Sequence, residues 1–159
     1  MKNILPYIII GLFLIVFYVW RYRLAPAIEV TEIKVKTNGA PASLVEIEQG
    51  NLLVNYYARW CGECLSEMKD LQALHASGKV KVVGLTDNSL EEITFVQQKF
   101  KITFPIYQLV GTLKDEGVYT IPISYLINAK GETVKSFLGA EDWVSEEMMN
   151  NYAAWLSLK

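Results

Sequence analysis

Two cysteines, Cys61 and Cys64, are the only ones in a chain of 159 residues, and two residues separate them. This spacing is typical of a reversible dithiol rather than of a structural bridge between distant segments. The run 52–57 directly precedes them and is apolar except for Asn55. Such a run predicts a strand that is buried on both faces in the middle of a sheet.

The residues after the cysteines predict a helix. Apolar residues recur at three-residue steps from 68 to 74 with charged residues between them, and Gly78 marks the expected end. The cysteines therefore lie on a strand-to-helix turn, with Cys61 at the helix N-terminus. Unpaired backbone N–H groups and the helix dipole favour a thiolate there. We expect Cys61 to be the attacking sulfur and Cys64 the resolving one.

Two separated stretches carry a resemblance to a known family. The sequence Trp60-Cys61-Gly62-Glu63-Cys64 follows the predicted buried strand, and Thr120-Ile121-Pro122 precedes a second strand. Together they resemble the thioredoxin fold and, more narrowly, the membrane-anchored thioredoxin-like reductases of the TlpA/ResA and cytochrome-c-maturation type. The resemblance covers roughly residues 40 to 140. It implies an α/β fold: a thioredoxin fold with an N-terminal strand extension and a central helix-strand insertion, preceded by one transmembrane helix.

The resemblance also implies a role for Pro122. In the resembled fold the peptide bond before this proline is cis and lies against the cysteines. The carbonyl and amide of Ile121 are then free to pair with an extended substrate segment. We expect Ile121 and Pro122, together with Trp60 beside the first cysteine, to contact substrate. The alternative is an ordinary trans proline at a strand edge.

Other uses of the cysteine pair are less well supported. A structural zinc site needs four ligands, and apart from carboxylates His75 is the only further one that the sequence offers. Two inert buried thiols are the third possibility, and the position at a helix N-terminus argues against it. We therefore predict no metal and no cofactor. His75 lies about three turns from the cysteines, too far for a catalytic pair, so we expect a contact with the helix dipole or a surface role.

Two polar residues near the cysteines are predicted to act on the thiols. Asn55 lies six residues before Cys61, where thioredoxins carry a buried aspartate that moves protons. Glu67 lies three residues after Cys64 and matches a glutamate that the TlpA/ResA group places near the thiols. We expect its carboxylate to raise the thiol pKa values and to relay a proton, which makes Glu67 a candidate catalytic residue. The alternative is a solvated carboxylate on a helix face.

Three further residues are predicted to tune the dithiol. Glu63 replaces the proline commonly found before the second cysteine, and its carboxylate disfavours a thiolate at Cys61. The cation of Arg59 opposes that effect, so the sign of the net change is open. Gly62, the other residue between the cysteines, is assigned to the same group.

The N-terminal segment predicts a membrane anchor, residues 1–23. No charged residue occurs from Ile4 to Trp20, and 17 helical residues span about 25 Å, near the lower limit for crossing a bilayer. Tyr18, Trp20 and Tyr22 form an aromatic belt at one interface. A cleaved signal peptide is the main competitor, because Ala25-Pro26-Ala27 has the small-residue form of a cleavage site.

Charge does not fix the orientation of this segment. Lys2 precedes it and two arginines follow it, so the positive-inside bias nearly cancels. The resemblance implies a domain on the outer, periplasmic face of a bacterial cytoplasmic membrane. The absence of cysteines beyond the pair agrees with an oxidising compartment.

Residues 24–159 are predicted to form one thioredoxin-like domain. Three of the 15 basic residues precede it, which leaves 12 against all 17 acidic residues and a net charge of −5. This balance, without a Lys/Arg cluster, argues against nucleic acid as a partner.

Periodicity and turn residues predict the remaining elements. They are an outer strand over 28–36 with a turn at Asn38-Gly39, a helical turn over 44–49, a strand over 79–85, a helix capped by Ser89 and Glu92, an extended piece over 104–107, a helix over 111–119, a hairpin of 123–128 and 133–138, and a terminal helix capped by Ser145.

Two classes of function remain open from the sequence. The first is a membrane-tethered thiol-disulfide oxidoreductase that reduces substrate disulfides through Cys61 and Cys64. It needs a disulfide-containing protein substrate, for which the resemblance offers apocytochrome c, and an upstream membrane dithiol donor. The second is a tethered binding or chaperone module that holds a partner beside Ile121-Pro122 with incidental redox activity. A disulfide oxidase or isomerase lies between them.

Overall fold

The computed structural model describes residues 5–23, 32–37 and 40–157. The elements in chain order are α1 (Leu5–Arg23), β1 (Lys34–Thr37), β2 (Ala40–Ser43), α2 (Leu44–Ile47), β3 (Leu52–Tyr56), α3 (Gly62–Ser66), α4 (Met68–Ala76), β4 (Lys81–Thr86), α5 (Leu90–Phe100), β5 (Ile106–Leu109), β6 (Ile123–Ile127), β7 (Thr133–Leu138) and α6 (Glu146–Leu156).

The strands form one seven-stranded sheet in the order β2-β1-β5-β4-β3-β6-β7. Strand β3 runs parallel to β4 and antiparallel to β6, and all five of its residues are buried. The prediction of a central buried strand before the cysteines is therefore confirmed. The parallel pairs β3–β4 and β4–β5 lie in the middle, and antiparallel pairs extend the sheet on both sides.

Both faces of the sheet are covered by apolar side chains. Because successive strand residues point to opposite faces, Val54 and Tyr56 join one buried cluster and Leu53 joins the other. The second cluster contains Leu71 and Leu74 of α4, which are both fully buried. The helix that follows the cysteines is thus packed firmly against the sheet.

The helix after the cysteines is interrupted once. It is divided into α3 and α4 at Glu67, whose ψ of −7° departs from the α-helical value. Gly78 has a φ of +70°, a conformation that favours glycine, and directly follows the last turn, which confirms the predicted end of the helix.

Several other predicted elements are confirmed. Ser89 and Glu92 form a complete capping box at the start of α5. The Ser145 hydroxyl accepts a hydrogen bond from the Met148 N–H at the start of α6. The hairpin β6–β7, the strand β4 and the helical turn α2 occupy the expected positions.

Two predictions, the helix over 111–119 and the outer strand over 28–36, differ from the structure. No helix forms over 111–119, where the chain makes hydrogen-bonded turns instead. Of the predicted strand 28–36, residues 28–31 lie outside the described ranges, residues 32–33 are not in a strand, and β1 begins at Lys34. Strand β2 was not predicted. The turn at positions 38–39 also lies outside them.

The apolar N-terminal segment forms helix α1. The apolar side chains described along it, among them Ile8 and Phe13, are exposed. Within the described part of the chain, no helix has the length and hydropathy that a bilayer crossing requires. The side chains of the predicted aromatic belt, Tyr18, Trp20 and Tyr22, lie outside the described residues, as does the segment 25–27.

Candidate active site at Cys61 and Cys64

Cys61 is the N-cap residue of α3. Its backbone is extended, with φ −85° and ψ 104°, and its N–H donates to the carbonyl of Ala58 at 3.0 Å. The Cys61 Sγ accepts a hydrogen bond from the backbone N–H of Cys64 at 3.2 Å, and the two sulfurs are joined in a disulfide. The predicted position at a helix N-terminus is confirmed, and an N–H group that the helix leaves unpaired points at the Cys61 sulfur.

The two sulfurs differ in exposure. Cys61 is 8% exposed, whereas Cys64 is fully buried. The peptide bond between Ile121 and Pro122 is cis, as the resemblance implied. The carbonyl oxygen of Ile121 lies 3.9 Å from the Cys61 Sγ. Because a disulfide sulfur has no hydrogen, this contact is packing rather than a hydrogen bond. Residues Ile121 and Pro122 are thus brought to the more exposed sulfur.

Glu67 lies at the junction of α3 and α4, three residues after Cys64, and is only 2% exposed. Its Oε1 accepts from Asn55 Nδ2 at 2.9 Å, and its Oε2 accepts from Trp143 Nε1 at 2.7 Å and from the Glu141 N–H at 3.4 Å. Burial raises the pKa of the Glu67 carboxyl, and these three donors act in the opposite direction. The solvated alternative is therefore excluded.

Asn55 connects three elements of the fold at this point. Its Nδ2 donates to Glu67 Oε1 and to Ser124 Oγ of β6, both at 2.9 Å, while Asn55 itself lies on β3 and is fully buried. The side-chain NH₂ group of Asn55 thus donates both of its hydrogens. Unlike the aspartate that thioredoxins carry at this position, the amide does not exchange a proton and acts only as a hydrogen-bond donor to Glu67 and Ser124. The amide orients Glu67.

Sequence reasoning did not find Trp143, Glu141 or Ser124. Trp143 is fully buried, and its ring makes an edge contact with Phe137 at 5.1 Å. Trp143, whose Nε1–H donates to Glu67, is 76 residues away from Glu67 in the sequence. No local pattern relates residues so far apart, although an indole N–H buried in a core generally has a partner.

The residues predicted to tune the thiols are placed differently from one another. Glu63 and Gly62 are exposed in the first turn of α3, and Trp60 is 77% exposed beside Cys61. The guanidinium of Arg59 lies 3.4 Å from Glu92 and 4.6 Å from the ring centroid of Phe95, both on α5. This cation is therefore paired with Glu92 rather than with Glu63.

His75 has a different contact from the one expected. Its Nδ1 accepts a hydrogen bond from the Val82 N–H of β4 at 3.2 Å, and its ring lies 6.0 Å from that of Phe104. Burial and then the charge of Lys81 lower the pKa of His75. An accepting nitrogen requires an imidazole without a proton there, so the histidine supports the sheet rather than the helix dipole. The described residues contain no group of three or more metal-ligating side chains.

Comparison with known proteins identifies the family. The model of the AhpC/TSA family matches residues 23–137, well over half of the chain. The chain belongs to the AhpC/TSA family. The match includes the cysteine pair, the cis proline and Glu67.

Curated relatives support the resemblance inferred from the motif. The thiol-disulfide oxidoreductase ResA of Oceanobacillus iheyensis is 30% identical over 124 residues, which cover 73% of this chain and 64% of that protein. The sporulation thiol-disulfide oxidoreductase A of Bacillus subtilis is 29% identical over 136 residues, covering 76% and 82%. The chain thus spans somewhat less than two thirds of the first relative's length. The predicted kinship with ResA-type proteins is confirmed.

A solved structure supports the fold. A putative thiol:disulfide interchange protein DsbE from Chlorobium tepidum aligns with a TM-score of 0.67 and 18% identity, over 84% of this chain and 99% of that one. The predicted thioredoxin-like α/β fold is confirmed for the described domain.

Proposed function

We propose that this protein is a thiol-disulfide oxidoreductase that reduces disulfides in protein substrates. One observation carries the proposal: the more exposed sulfur, Cys61, is the N-cap of a helix and lies beside the backbone of Ile121, with Cys64 buried behind it. An entering disulfide can reach Cys61 directly. The names of the relatives point to the same activity.

The reaction consists of two exchanges. The Cys61 thiolate attacks one sulfur of the substrate disulfide, whose S–S bond breaks and releases a substrate thiolate. A mixed disulfide now joins Cys61 to the other substrate sulfur. The Cys64 thiolate then attacks the Cys61 sulfur and releases the second substrate thiolate. Two electrons have passed to the substrate, and the protein holds its disulfide.

We assign Glu67 the role of the base that accepts the proton of the Cys64 thiol. A buried thiol needs a base before it can attack, and Glu67 lies one helical turn after Cys64. Burial raises the pKa of this carboxyl, which makes it a better proton acceptor than a solvated glutamate. Asn55 and Trp143 hold its two oxygens in place.

The carboxylates near the cysteines support reduction as the direction of the reaction. A strong oxidant stabilises its reduced, thiolate form, whereas Glu63 and Glu67 disfavour negative charge on the nearby sulfurs. The oxidised form is then favoured, and the dithiol becomes a reductant. Such a protein must be recharged by an upstream membrane dithiol donor. Apocytochrome c is the substrate that the sequence resemblance supports.

The location is part of the same proposal. We propose that the segment 1–23, of which α1 is the described part, anchors the domain on the outer face of a bacterial cytoplasmic membrane; the exposed apolar side chains of α1 and the resemblance support this location. Retention of the full chain in the membrane pellet after alkaline extraction is the expected result. Release into the supernatant would contradict the anchor.

Trapping tests the activity. The reduced wild type should reduce the interchain disulfides of insulin, and Cys61→Ser should abolish the reaction. Cys64→Ser should stop after the first exchange and accumulate mixed disulfides through Cys61. Turnover by Cys61→Ser equal to that of the wild type would refute the proposal.

A further inference from the structure

The surface beside Cys61 carries an unbalanced negative charge. Glu63 is exposed in the first turn of α3, between the two cysteines. Among the described residues it takes part in no ion pair, and Arg59, the nearest cation before it in the chain, is paired with Glu92 and stacked on Phe95. A substrate approaching Cys61 therefore meets a carboxylate without a counter-ion.

A neighbouring segment adds to this charge. Glu141 follows β7, and its backbone N–H donates to Glu67 Oε2 at 3.4 Å. The charge of Glu141 also raises the pKa of Glu67. One more acidic residue thus lies next to the α3–α4 junction that follows the cysteines.

The nearest cation after Glu63 in the chain does not cancel the charge. Lys69 lies six residues beyond Glu63, past the interruption at Glu67, and Asp70 follows it directly.

We propose that Glu63 selects substrates, so that the protein prefers disulfides flanked by positively charged groups, such as half-cystines next to Lys or Arg in a protein segment. The inference rests on the proposed reduction of disulfides. When Cys61 attacks, groups beside the substrate sulfur come within several ångströms of the Glu63 carboxylate, where unit charges interact appreciably even through water. The effect is modest, because both charges are solvated, and salt weakens it.

Three small disulfides of different charge test the proposal. Cystamine is cationic, bis(2-hydroxyethyl) disulfide is neutral and 3,3′-dithiodipropionate is anionic. The reduced full chain in neutral detergent is reacted with each at one pH and low ionic strength. Any change in the intrinsic reactivity of Cys61 multiplies all three rates equally, so rates relative to the neutral disulfide isolate the charge effect.

Glu63→Gln should slow the reaction with cystamine and speed that with dithiodipropionate, each by roughly two- to fivefold relative to the neutral disulfide. High salt should remove the difference between wild type and variant. Glu46→Gln is the matched control, because it removes the same charge from α2, next to the start of β3 and at the opposite end of the sheet from Cys61.

Three results would overturn the role proposed for Glu63. Relative rates that Glu63→Gln leaves unchanged, or that Glu46→Gln changes equally, overturn the assignment to Glu63. A wild type that reduces none of the three disulfides overturns the proposed function, and this inference with it.

Discussion

At the scale of single residues, Glu67 has the most unusual environment of the site. A carboxyl group that is 2% exposed loses most of its hydration, and three hydrogen-bond donors compensate only part of that loss. Its pKa is raised, so the folded protein binds this proton more tightly than the unfolded chain does. Folding and protonation of Glu67 are therefore linked.

The linkage predicts a pH dependence that Glu67→Gln removes. Since the folded pKa is raised, the stabilising contribution is complete below the ordinary value of 4.5 and is lost as the pH rises through the folded pKa. The free energy of unfolding of the wild type, relative to the variant, should thus fall as the pH rises above about 4.5. Urea unfolding of both oxidised proteins from pH 4 to 8 measures it.

The trend, not the absolute stability, is the test of this linkage. A glutamine amide would place a donor against the donors of Asn55 or Trp143, which destabilises the variant at every pH. A difference between the two proteins that does not vary with pH would contradict the raised pKa.

The thiols give a second prediction at this scale. In the reduced protein, limiting iodoacetamide should alkylate Cys61 at least tenfold faster than Cys64, because only Cys61 combines exposure with the helix N-terminus. Peptide mapping by mass spectrometry gives both rates. In denaturant the two rates should become similar, and faster labelling of Cys64 in the folded protein would reverse the assigned roles.

At the scale of elements, the site depends on contacts between β3, the α3–α4 junction and the segment before α6. Trp143 supplies the contact from the last of these through its 2.7 Å hydrogen bond to Glu67. Trp143→Phe keeps an aromatic ring but removes the donor. It should lower the free energy of unfolding by about 1–3 kcal/mol, because a buried acceptor oxygen of Glu67 loses its hydrogen-bond donor.

Trp155→Phe is the matched control for this change. Trp155 is a half-buried indole of α6, and its ring also packs on Phe137. Its replacement should cost less than that of Trp143 in the same urea titration. Equal losses would mean that the ring of Trp143, and not its N–H, stabilises the site.

Packing of α4 on the sheet gives a further test. Leu71 is fully buried in the cluster behind the cysteines, so Leu71→Ala should destabilise the protein by about 2–5 kcal/mol. Leu90 is 67% exposed, and Leu90→Ala should change the stability by less than about 0.5 kcal/mol. Thermal or urea unfolding measures both, and similar values would contradict the burial of α4.

The elements that were predicted correctly are those whose sequence signals lie within a few neighbouring residues. The apolar run 52–57, the capping box at Ser89 and the stop at Gly78 each lie within a few residues. The segment 111–119 did not follow its pattern, because the Asp115 carboxylate accepts from the Thr112 N–H and hydroxyl, both at 2.8 Å, and closes a turn instead.

Two other features were beyond the reach of local patterns. Strand β2 contains Pro41, which reads as a strand breaker but is tolerated at the edge of a sheet, where β2 lies. The donors to Glu67 come from distant parts of the chain and meet only when the sheet has formed. The cysteines and the cis proline were predictable, whereas the surroundings of Glu67 were not.

At the scale of the whole molecule, the sheet collects the reacting groups at one end. Strand β3 delivers the cysteines at its carboxyl end, and the antiparallel β6 begins there with Pro122 directly before it. The opposite end carries α2 and the β6–β7 turn. We therefore expect substrate to bind at this end of the sheet. Trp60, whose ring is exposed, and Glu63, which is also exposed, are close neighbours of Cys61 in the sequence.

The reduction potential of the Cys61/Cys64 couple tests the account most directly. The full chain is equilibrated in dithiothreitol or glutathione buffers of graded potential, and the fraction oxidised is read by thiol labelling and mass spectrometry. A reductant whose carboxylates disfavour the thiolate should show one two-electron transition nearer to the value of thioredoxin, about −270 mV, than to that of DsbA, about −120 mV. A potential near that of DsbA, or a pair that does not equilibrate at all, would contradict the account.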